Sequence, residues 1–139
     1  MSTAPDAGRA PVSPLVRSGL TELAAAALSG WVFTACRTQP DLTRRLGIRS
    51  TARIRQWHLD LAALGAASVA CGLAVPDPPR TAERALRIGA WTNAMAFLPL
   101  AFRPDLDRHP AYLAAVTGSF VSTTVGFCGL ALSARRRAR

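Results

Sequence analysis

His58 begins the run HLDLAALGAASVACGLAV, residues 58–75, with arginines before it and Pro76 after it. A neutral imidazole in that place either packs and hydrogen-bonds or offers a lone pair to a metal. His58, Ala62, Gly65, Val69 and Gly72 recur at intervals of four, three, four and three, so they share one helical face. That face carries the imidazole at one end and mostly small side chains below it. Small faces let a second helix approach closely, and they equally leave a slot for a flat ligand. Asp60 lies in the first turn of the same run, where the helix dipole favours a negative charge, and points away from the His58 face. In the next apolar run, Asn93 is an amide that is costly to leave unpaired away from water. It serves either as an interhelical hydrogen bond or to orient a substrate. Trp91 and Thr92 beside it are candidate pocket residues.

These residues must be positioned by helices. Four apolar segments, about 15–36, 58–75, 85–102 and 111–134, each approach the ~20 residues needed to cross a bilayer core. Residues 24–35, 62–75, 94–102 and 111–133 contain no charge. Helices apolar on every side belong in lipid or a large core, and 139 residues cannot bury four of them in water. The expected fold is therefore all-α, an integral membrane four-transmembrane-helix bundle over residues 15–134. It is preceded by a proline-rich disordered tail (1–14) and followed by a basic tail (135–139). Residues 1–14 lack the basic-then-apolar order of a cleavable signal peptide. Residues 37–57 form the longest connection, and apolar and basic positions within 45–57 predict a short interfacial helix ending at Trp57.

The net charge is +9, and all 17 basic residues are arginine. They flank the apolar segments, where they meet lipid headgroups, and no nucleic-acid partner is expected. Four spans place nine arginines on the side of the termini and eight on the other, so charge bias does not fix the orientation. The compact arginine tail favours cytoplasmic termini. Arginine without lysine, with abundant alanine, points to a bacterial cell membrane.

Other polar groups read more plainly. Glu22, in the first segment between Gly19 and Gly30, pairs with a loop arginine or is functional. Cys36, Cys71 and Cys128 are isolated small hydrophobes without zinc spacing. His109 lies beside Pro110 in a solvated turn. Gly118, Ser122 and Gly126, at intervals of four, form a seam for packing within the bundle or between copies. Pro99 should loosen the third helix and free a carbonyl.

No nucleophile elbow, phosphate loop or HExxH pattern is present. A catalyst with so few core polar groups needs a borrowed reactive centre. Haem meets that need, because one imidazole suffices as axial ligand. The stretch Trp57–Phe102 resembles the small membrane isomerases typified by styrene oxide isomerase and, more distantly, the hydroxylaminobenzene mutases. The resemblance rests on His58, on Gly65 seven residues later, on the closing Pro76, and on Gly89-Ala-Trp-Thr-Asn93. It implies that His58 ligates the iron of haem b beside Ala62 and Gly65, with ferric haem a Lewis acid on a substrate oxygen. It further implies a homotrimer with haem between subunits. Asn93 and Asp60 would be catalytic, Trp91, Thr92 and Phe97 would line the pocket, and the substrate would be small and apolar. Leu64, Phe97 and Gly89 replace an asparagine, a tyrosine and an aspartate of the epoxide isomerases. That turns the expected reaction toward an N–O (hydroxylamine-type) rearrangement in specialised metabolism, with epoxide isomerisation as the alternative. A non-catalytic membrane scaffold, or the subunit of a partner enzyme, is the other class.

Overall fold

The computed structural model describes residues 12–138, and these are helical with no strand among them. Helix α1 spans Pro14–Thr38, α2 Pro40–Arg45, α3 Thr51–Ala74, α4 Arg80–Met95, α5 Phe97–Phe102 and α6 Pro110–Arg137, with a 3₁₀ turn at Pro104–Arg108. Residues 1–11 and Arg139 lie outside the described residues, as does most of the expected N-terminal tail. Ser13 and Pro14 belong instead to the start of α1. The Ser13 hydroxyl accepts from the Val16 N–H at 3.2 Å, and Pro14 takes the first-turn position where no N–H is needed. Most of the expected basic tail continues α6, with Arg135–Arg137 in its last turn where cations favour the helix dipole. Arg137 donates from there to the carbonyls of Pro76 and Asp77.

Two expected boundaries move. The helix bearing His58 begins at Thr51, seven residues early, so His58 lies two turns inside it. Ser50 sets this start, since its hydroxyl accepts from the Arg53 N–H at 3.4 Å. The amides of Arg49 and Ser50 donate to Ala101 O at 2.7 and 3.1 Å, anchoring the turn before it. Of the expected interfacial helix, residues 51–57 form the first turns of α3, residues 46–50 are a turn, and α2 precedes them. The third apolar segment becomes α4, which takes in Arg80, Glu83, Arg84 and Arg87, followed by α5. Pro99 offers no N–H to Met95 O, and the helix is interrupted at Ala96. The Tyr112 hydroxyl donates to the Ala96 carbonyl at 2.9 Å beside this break. Among the described residues three helices, α1, α3 and α6, are long and apolar enough to cross a membrane.

The helices pack as two close antiparallel pairs, α1 with α3 and α4 with α6, joined where α3 meets α4 and α5. Glycines make both seams. A Cβ on Gly19 would lie 2.5 Å from Gly65 O, and one on Gly126 would lie 2.6 Å from the Leu86 Cα. Leu15, Val75, Ala82, Leu86 and Leu130 fill one end of the core, Ala26, Leu61 and Ala94 the middle, and Cys36, Ile48, Ile54 and Ala101 the other end. This core leaves most apolar surface uncovered. Only 28, 22 and 17% of the apolar windows of α1, α3 and α6 is buried inside the chain. Leu28, Trp31, Leu73, Phe120 and Val125 all face outward. So much exposed apolar surface requires lipid or other chains around it.

Candidate functional site

Helix α1 supplies the surroundings of His58. Gly19, Glu22, Ala26 and Ser29 recur at three, four and three, matching the α3 face, so the two stripes meet along their length. His58 Nδ1 lies 2.9 Å from Ala26 O and 3.1 Å from Ser29 Oγ, while Ser29 Oγ itself donates to Ala26 O at 2.8 Å. A carbonyl oxygen can only accept, so this contact places the hydrogen on Nδ1. In the neutral ring Nε2 then carries the lone pair, and it makes no hydrogen bond among the described residues. A backbone carbonyl on one ring nitrogen is the arrangement that orients histidine ligands and fixes their tautomer. Gly30 makes room for the ring, since a Cβ there would lie 3.2 Å from His58 Cε1. Phe33 stacks near it with centroids 6.3 Å apart and planes 17° apart.

The other candidate residues divide between places. Gly65 faces the α1 backbone, where a Cβ would meet Gly19 O at 2.9 Å and Glu22 Cβ at 3.0 Å. Ala62 packs against the Ala26, Leu61 and Ala94 cluster. The small face of α3 is therefore filled by α1, and a flat ligand has no room on it within this chain. Open space lies instead toward the first turns of α3. A groove of about 410 Å³ there is lined by Phe33, Arg37, Thr51, Ala52 and Arg55, with Phe33 shared between groove and imidazole stack. Asp60 is half-buried, about 200° around α3 from His58, and forms no ion pair among the described residues.

Trp91 and Thr92 line a separate cavity of about 460 Å³ with Ser18, Arg84, Arg87 and Ile88. Trp91 Nε1 donates to Ser18 Oγ at 3.1 Å, and Thr92 Oγ1 donates to Ser119 Oγ at 2.8 Å. Thr92 thereby ties α4 to α6. Asn93 is half-buried and its side chain makes no hydrogen bond among the described residues. Phe97 lies 6.0 Å from the Arg53 guanidinium, at the far end of the α4–α5 path from Arg84. Glu22 is fully buried, with Ser18 as its hydrogen-bond partner at 3.5 Å, and makes no pair with a loop arginine among the described residues. The α6 seam holds at two of its three expected positions, with Ser119 in place of Gly118 at the third. Ser119, Ser122 and Gly126 meet α4, whereas Gly118 has nothing within 4 Å.

Ser29, Phe33 and the Arg84/Arg87 cavity were not singled out from sequence. A signal for Ser29 existed, because it shares the face of Gly19, Glu22 and Ala26. Arg84 and Arg87 read only as flanking charge. Among the described residues no group of three or more histidine, cysteine, aspartate or glutamate side chains gathers as a metal site. No protein-family model, curated protein or solved structure matches the chain.

Proposed function

We propose that the chain crosses a bacterial cell membrane four times, with α4 and α5 together forming the third span and both termini cytoplasmic. Residues 80–102 make a helical path of about 34 Å at 1.5 Å per residue, enough for a bilayer core. The charges of that path, Arg80, Glu83, Arg84 and Arg87, all fall in its first two turns, at headgroup depth.

Within this bundle His58 would hold haem b, which would make the protein a haem-dependent isomerase or mutase acting on a small apolar substrate. The observation that supports this is the pinned imidazole, with Nδ1–H on Ala26 O and the Nε2 lone pair uncommitted. The donor chemistry fits haem. The groove that shares Phe33 with the imidazole's surroundings does not include His58 in its lining, so haem would need a wall from a second copy, as a homotrimer would supply. When bound, ferric haem supplies a Lewis acid for a substrate oxygen. The role of this chain is to fix the imidazole tautomer through Ala26 and Ser29 and to exclude water with the surrounding apolar helices. An N–O rearrangement is preferred over epoxide isomerisation, because Leu64, Phe97 and Gly89 offer no polar group to an epoxide.

A non-catalytic membrane scaffold is the second reading. The filled α3 face favours it, since a histidine bonding Ala26 O also clamps α1 to α3. Absorption spectra of detergent-purified wild type and His58→Ala, both expressed with ample haem, separate the two. A Soret band near one haem per chain, lost in the variant, supports ligation. A colourless wild type that stays colourless after haem addition refutes it.

A further inference from the structure

The cavity between α1 and α4 has a composition that the haem reading does not use. Its lining joins two guanidinium groups (Arg84, Arg87), two hydroxyls (Ser18, Thr92), an indole (Trp91) and an aliphatic wall (Ile88). Neither arginine forms an ion pair among the described residues. Arg87 Nε is moreover buried with no hydrogen-bond partner. A buried N–H of a cation left without an acceptor is costly, and Arg84 beside it is exposed and unpaired among the described residues, so this edge of the cavity suits an anion. The neighbouring carboxylates do not fulfil that role. Glu83, the only acid in α4, lies one turn before Arg87 with its own Oε1 buried and unpartnered, yet forms no ion pair with Arg87 and lines a different cavity with Asp77 and Arg80, while Glu22 is buried beside Ser18.

Position narrows the ligand further. Arg87 lies seven residues from the start of α4, about 10 Å along the axis, and Ser18 one turn into α1. The cavity thus opens at the depth where headgroups meet acyl chains. Ile88 in its lining is 60% exposed, so the apolar wall of the cavity opens to the outside. Basic pockets between spans at such a depth take anionic lipid headgroups. We propose that this cavity is a site for the phosphate of an anionic phospholipid, held by Arg84 and Arg87, with an acyl chain along Ile88. The proposal rests on the membrane reading above and is independent of haem.

Native mass spectrometry of the intact protein in neutral detergent, offered equal dioleoyl phosphatidylglycerol and dioleoyl phosphatidylcholine, tests it. Flotation with liposomes separately checks membrane residence, so failure of that reading would be visible on its own. Wild type is expected to retain phosphatidylglycerol preferentially. Arg84→Gln/Arg87→Gln should weaken that binding about 30-fold, the factor for two arginines beside an anionic headgroup. Ile88→Trp, at an exposed position the fold tolerates, should weaken it without changing charge. Arg135→Gln/Arg136→Gln removes the same charge at the same end of the bundle and should leave the preference intact. Equal binding in wild type and both cavity variants would overturn the site. An equal loss in the α6 pair would reduce it to a general surface field. Displacement of the lipid by millimolar glycerol 3-phosphate would overturn the lipid assignment in favour of a free organic phosphate.

Discussion

Replacing Gly19 with alanine tests one of the closest glycine-mediated helix contacts among the described residues. A Cβ there falls 2.5 Å from Gly65 O and 2.8 Å from Val69 N, both backbone atoms of α3 that cannot rotate away. Ordinary contact begins at 3.4 Å, so α1 and α3 must separate by about 0.9 Å at this level. Overpacking of this kind costs about 1–3 kcal/mol. Alanine returns about 0.5–1 kcal/mol through helix propensity, so at the middle of these ranges the clash wins by roughly 1 kcal/mol. Gly118→Ala is the matched control, because nothing lies within 4 Å of that position and only the propensity gain remains. Thermal unfolding in detergent, followed by a thiol-reactive dye that reports exposure of buried Cys36, reads both variants. Gly19→Ala should lower the midpoint by several degrees, and Gly118→Ala should leave it unchanged or slightly raised. Equal midpoints for Gly19→Ala and wild type would refute the α1–α3 packing described here.

Further outcomes follow from the same contacts. Ser29→Ala removes one of two partners of His58 Nδ1 and keeps Ala26 O, so it should cost about 0.5–1.5 kcal/mol in the same unfolding assay. Thr92→Val breaks the hydroxyl bond to Ser119 between α4 and α6, and should cost about 0.6–2 kcal/mol, with little further loss when Ser119→Ala is added. For topology, labelling of single cysteines placed at residues 78 and 106 by an impermeant reagent should come from opposite faces of the membrane. Labelling of both from one face would refute the third span.

Much of the architecture was readable from patterning. Residues 24–35, 62–75 and 111–133 carry no charge, and all but Val75, the C-cap of α3, lie within the three helices long enough to cross a membrane. The helix starts were less visible, because Arg53 and Arg55 disguised the first turns of α3 and Arg80–Arg87 those of α4. Both stretches are helical because Ser50 caps the one and because arginine is itself a good helix former in the other. The face containing His58 and Gly65 was visible as a period, yet nothing in a period says which partner fills it. That depended on α1 presenting Gly19, Ala26 and Ser29 at matching heights, a tertiary fact. The same limit explains Trp91, whose indole turned to Ser18 and a basic cavity rather than to His58.

The most direct test of the central claim is chemical rescue at His58. In His58→Gly the imidazole and its Nε2 are gone, while Ala26 and Ser29 remain to hold a free imidazole. Ferric haem titrated into apo wild type should saturate at one per chain, with a Soret band that the glycine variant lacks. Millimolar imidazole should restore that band in the variant. Wild type that binds no haem, or a glycine variant whose band equals wild type without imidazole, would contradict ligation by His58.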